Sequence, residues 1–101
     1  MNDKVILLVS VWLKEQDVDA FAAFEGKIAE IQARHGGRIE RAIRVDSTDP
    51  AAPFEVHVVS FDSASGLAAY RADPAMQELA SERERIIAKA VIIEGADVEL
   101  Y

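Results

Sequence analysis

Pro53-Phe54-Glu55-Val56-His57-Val58-Val59-Ser60-Phe61 reads as a strand entered through a proline. Valine and phenylalanine dominate it, and a helix start, Asp62 or Ser63, follows at once. On either side the chain follows one plan: strand, helix, strand. Val5–Leu13 is almost unbroken in apolar residues, the pattern of a strand buried on both faces. Asp17 then offers an N-cap to a helix whose apolar stripe is Phe21, Phe24, Ile28 and Ile31, closed at His35-Gly36-Gly37.

Arg38–Val45 alternates, with Ile39, Ile43 and Val45 on one face and Arg38, Glu40 and Arg44 on the other. Arg41 interrupts the apolar face, which places this strand at an edge. Residues 46–53 form a loop by composition. After the 53–61 strand, a helix through Leu67 and Tyr70 stops at Asp73-Pro74, where a new one starts and runs through Met76, Leu79 and Ile86. Ala88–Glu94 is the fourth strand, and Val98 and Leu100 suggest a short tail strand.

The order βαββαβ over residues 1–101 predicts a single α+β domain of ferredoxin-like plan. Its four-stranded antiparallel sheet carries the helices on one face. In that plan strands one and three are central, and they are the most apolar here.

The odd set of strand one (Val5, Leu7, Val9, Val11, Leu13) is wholly apolar and is turned toward the helices. The even set (Ile6, Leu8, Ser10, Trp12) then lies on the open face. Glu55, His57, Val59 and Phe61 of strand three, and Ile92 of strand four, are assigned to that same face. Exposing such side chains forfeits roughly 1.5–3 kcal/mol each, so a second copy of the chain is expected to cover them. A homodimer follows.

Composition narrows the partners. The net charge is −7 and Lys and Arg form no stripe, which argues against nucleic acid and anionic membrane surfaces. No segment approaches the roughly 20 apolar residues of a bilayer span. There is no cysteine, hence no disulfide or thiolate chemistry. Val5–Leu13 lacks the basic flank and cleavage site of a signal segment, so the expected compartment is the cytoplasm.

Four short runs carry a resemblance: His35-Gly36-Gly37-Arg38, Ser60-Phe61-Asp62-Ser63, Tyr70-Arg71-Ala72-Asp73-Pro74 and Val91-Ile92-Ile93-Glu94-Gly95. Across about residues 4 to 95 the chain resembles a largely uncharacterised family of small dimeric α/β-barrel proteins, akin to the antibiotic-biosynthesis monooxygenases. The resemblance implies two ferredoxin-like protomers forming a dimeric α/β barrel, their sheets facing each other. The related monooxygenases and haem degraders tend to line their cavity with an asparagine and a tryptophan. Here the only asparagine is Asn2, ahead of strand one, and the only tryptophan is Trp12.

His57, mid-strand and two residues from Glu55, is the candidate catalytic residue, because imidazole titrates near neutrality. Its structural alternative is a histidine hydrogen-bonded across the dimer or to a neighbouring strand. Trp12, Arg44, Glu55 and Phe61 are the candidate ligand-binding residues: a stacking wall, a carboxylate clamp, a partner for His57 and an aromatic on its face. Glu55 and His57 lack the third and fourth ligands of a metal site, so no metal is expected. No Gly-rich phosphate loop or nucleophile elbow is present, and no cofactor is implied.

The expected protein is a homodimeric barrel holding a small apolar or aromatic metabolite in its interior. The alternative is a cofactor-independent monooxygenase or isomerase, with His57 as base, Trp12 shaping the pocket and Arg44 holding an anionic group.

Overall fold

A computed structural model describes residues 3–101; Asn2 lies outside the described residues. The chain runs β1 (Val5–Leu13), α1 (Val18–Arg34), β2 (Gly37–Arg44), β3 (Glu55–Phe61), α2 (Ala64–Ala72), α3 (Pro74–Glu78), α4 (Ala80–Ile86) and β4 (Ile87–Gly95). The four strands form one antiparallel sheet in the order β2-β3-β1-β4, with the helices on one face. β1 and β3 are central and β2 is an edge.

Local chemistry sets the helix starts. The Asp17 carboxylate accepts from the Ala20 N–H at 3.0 Å, and the Ser63 hydroxyl from the Gly66 N–H at 3.0 Å. Asp73 accepts from the Ala75 N–H at 2.9 Å, with Pro74 at the first helical position. Each cap satisfies a donor that no helical carbonyl reaches. The segment after α2 is two short helices rather than one, broken at Leu79.

The core lies between helices and sheet. Val11 and Leu13 pack with Phe21, Phe24 and Ile28 of α1, while Leu7, Val59 and Phe61 pack with Leu67 of α2. The odd set of β1 thus faces the helices, as its pattern predicted.

The assignment of β3 is corrected. Val5 pairs with Phe61, Leu7 with Val59, Val9 with His57 and Val11 with Glu55. Directly opposed residues project to the same face of a sheet. Glu55, His57, Val59 and Phe61 therefore lie under the helices and not on the open face. Val9 also pairs with Ile92, which moves Ile92 to the helix side.

β2 contains an irregularity between Ile39 and Arg41. One extra residue there switches the alternation, so Ile39 opposes Val59 on the helix face while Ile43 opposes Val56 on the open face. The two isoleucines do not share a side; Glu40 is the unpaired extra residue, and Arg41 opposes Val58 on the open face. Residues 96–101 form no strand, and Val98 and Leu100 are exposed.

The open face remains apolar with a different membership. Ile6, Leu8, Trp12, Val56 and Val58 supply its centre, and Ile43, Val91 and Ile93 its flanks. Leu8, Ile43, Val91 and Ile93 are each 38–59% exposed. β1 is therefore buried on one face only within the protomer. At one corner the Glu40 carboxylate accepts from the Ser60 hydroxyl at 2.6 Å, which holds its carboxyl below the usual range, helped by Lys4 and Arg38.

Candidate functional site

A cavity of about 280 Å³ lies between the helix face of the sheet and the helices above it. Leu7, Val9, Val11 and Val59 form its sheet wall, and Phe24 and Ile28 of α1 and Met76 of α3 close over them. Into this apolar space project Glu25 and Gln32 from α1, His57 from β3 and Tyr70 from α2. Arg71 and Arg83, both exposed, stand at its rim.

Glu25 and Gln32 are seven positions apart, about two helical turns, so both fall on one flank of the α1 stripe. Burial pushes the Glu25 carboxyl up to about 7; nearby Glu55 adds to the rise and Arg83 opposes it. An acid poised there exchanges its proton at neutral pH.

Gln32 is buried, and its side chain lies close enough to the Tyr70 hydroxyl to oppose the rise in that group's pKa. Its Oε1 has no hydrogen-bond partner among the described residues. Desolvation holds the Tyr70 hydroxyl above its ordinary pKa, so it remains a neutral donor.

His57 is buried at the base of this layer, its ring 6.2 Å from that of Phe21. Its Nε2 lies 3.7 Å from Glu55 Oε1, and Glu55 Oε2 lies 3.8 Å from an Arg44 guanidinium nitrogen. Glu55 thus stands between an imidazole and an arginine. Arg44 itself lies over the Phe54 ring, 4.1 Å from its centroid.

Of the residues singled out in the sequence, only His57 lines the cavity; Glu55 backs it, and Arg44 stands behind Glu55. Phe61 is fully buried in packing against Tyr70 and does not line it. Trp12 lies on the opposite face. There its indole donates to the Ala51 carbonyl at 3.0 Å, Lys89 sits over its ring, and it borders a shallow pocket against the 46–53 loop. His57 and Trp12 are thus separated by the sheet, and the cavity beside His57 lies within one chain, between its helices and its sheet.

Sequence reasoning missed Glu25, Gln32 and Tyr70. The available signal was polar residues at i+4 from Phe21 and Ile28, extending an apolar stripe with groups that are costly to bury. Among the described residues no group of three or more carboxylates or imidazoles converges as a metal site, and no helix is long and apolar enough to cross a membrane.

No family model and no curated protein matches the chain. Solved structures do. A protein of unknown function from Rhodopseudomonas palustris, RPA0582, aligns with a TM-score of 0.78 at 15% identity, over 99% of this chain and 86% of that one. A dimeric ferredoxin-like protein of unknown function from Thermobifida fusca aligns at 0.68 and 12% identity, over 92% and 90%. This chain has a ferredoxin-like fold. SnoaB, a cofactor-independent oxygenase from Streptomyces nogalater, shares it with a TM-score of 0.73 at 13% identity, over 97% of this chain and 96% of that one. The ferredoxin-like chain fold implied by the four short runs is the one observed.

Proposed function

We propose that each subunit binds a small, largely apolar or aromatic molecule in the cavity between α1 and the sheet, and that Glu25 moves a proton there. The observation that carries this reading is a carboxyl brought to about 7 inside an apolar cavity. A carboxylate in such surroundings is a stronger base than in water, and its acid form is a ready donor. Tyr70 and His57 supply further hydrogen-bonding groups around the same space.

The chemistry this supports is cofactor-independent proton transfer, of the isomerase or oxygenase type. Glu25 takes a proton from a ligand C–H or O–H, and the electron pair passes into the ligand's π system. SnoaB, a cofactor-independent oxygenase on the same fold, adds weight to this direction.

We further propose that two copies pair through the open sheet face, giving a barrel. The apolar centre formed by Leu8 and Val58 favours a second sheet as its cover.

The test is native mass spectrometry for a retained small molecule, followed by a turnover screen of small phenols and aromatic acids. Glu25→Gln is expected to abolish turnover while leaving binding intact. Ala90→Phe, which fills the cavity from β4, is expected to abolish both. Unchanged turnover in Glu25→Gln removes the assigned proton carrier.

A further inference from the structure

Two features of the cavity are not explained by an apolar ligand alone. The first is its rim. In a chain of net charge −7, Arg71 of α2 and Arg83 of α4 both line the opening. Lys27, Arg38 and Arg44 each lie within ion-pair distance of a carboxylate. Arg71 and Arg83 make no ion pair among the described residues, although Arg83 lies near enough to Glu25 to oppose its rise in pKa. Two guanidinium groups at one mouth suit a planar anion, which each can bind through paired N–H donors.

The second is Gln32 Oε1. Gln32 lines the cavity and is only 6% exposed, so this oxygen is a buried acceptor without a donor among the described residues. Leaving it so costs roughly 1–3 kcal/mol, and a ligand hydroxyl or N–H restores the bond.

We propose that the ligand is a small hydroxylated carboxylic acid, its carboxylate held at the rim by Arg71 and Arg83 and its hydroxyl donating to Gln32 Oε1. This rests on the cavity being a ligand site, and it adds the ligand's charge and its donor. The cavity volume of about 280 Å³ suits a molecule built on a single ring or a short branched chain. Arg44, the arginine the sequence suggested for an anion, is occupied by Phe54 and Glu55 instead.

The test is calorimetric titration of the full chain with 4-hydroxybenzoate, its methyl ester and benzoate. The ester keeps the ring and donor but removes the charge; benzoate keeps the charge but removes the donor. 4-Hydroxybenzoate is expected to bind at least tenfold more tightly than either. The Arg71→Gln/Arg83→Gln variant, altered only at exposed positions, is expected to lose that advantage over the ester while binding the ester unchanged. Gln32→Met, checked for folding by its thermal melt, is expected to lose the advantage over benzoate alone. If acid and ester bind equally, the anionic ligand is overturned and the cavity reading stands. If none of the three binds, both are overturned.

Discussion

His57 and Val9 oppose each other across the β3–β1 ladder, and both line the cavity beneath α1. The pairing fixes which way the imidazole points, and with it the nearest groups: Glu55 behind it and Phe21 above. His57→Ala should lower stability by about 1–3 kcal/mol, because it removes a buried ring and leaves Glu55 without its imidazole neighbour. Urea unfolding measures this. His57→Ala should leave the proposed pairing of two chains unaffected, since the residue is not on the open face.

Glu25 should make stability depend on pH in a defined window. Its carboxyl titrates at about 7 when folded, against 4.5 for a solvated glutamate. Below 4.5 both states hold the proton and there is no penalty. As pH rises from 4.5 to 7 the unfolded chain releases it first, so stability falls across that interval and levels off above it. Denaturation midpoints between pH 4.5 and 8 should slope downward in the wild type. The slope should flatten in Glu25→Gln; an unchanged slope would show that another group is responsible.

Asp73 behaves oppositely. A hydrogen bond from His35, at 2.8 Å, holds its carboxyl below the ordinary value of 3.8, aided by the Ala75 N–H. Its contribution is present above that value and is lost as pH falls through the lower folded pKa. Asp73→Asn should therefore reduce stability at pH 7 and leave it nearly unchanged in strong acid, as thermal melts at the two pH values would record.

Gly37 of β2 lies against the ring of Phe61, and a β-carbon there would overlap the ring atoms. Phe61 is fully buried and cannot move aside. Gly37→Ala should cost about 1–3 kcal/mol through overpacking. Gly26, where a β-carbon meets nothing within 4 Å, is the control: Gly26→Ala should stabilise α1 by about 0.5–1 kcal/mol.

The open face supplies a test of assembly. Leu8→Asp places a charge at the centre of the apolar patch without touching the core beneath the helices. Sedimentation should report two-chain particles for the wild type and single chains for the variant. Single-chain particles in both would remove the proposed barrel.

Three of the helix starts were legible in the residues because each has a local cause. Asp17, Ser63 and Asp73 are caps wherever the chain goes next, and the stripe Phe21–Ile31 is amphipathic before it meets a sheet. The inward face of β1 was equally legible, since one of its two sets holds no polar residue. β3 is different. Both of its sets carry valines, so alternation there does not distinguish the faces, and only pairing with β1 decides. The extra residue in β2 likewise reverses a parity that sequence counting treats as continuous.

The site belongs to that second class. Glu25 and Gln32 are ordinary polar helix residues until α1 lies across the sheet and removes them from water. Desolvation and unpaired oxygens are properties of a packed interior, and no local run of residues contains them. What the sequence determined alone is therefore the order of strands and helices and the apolar surplus carried on both faces of the sheet. What only the tertiary structure decided is which polar groups share the space under the helices, because register and burial arise from contacts between segments far apart in the chain.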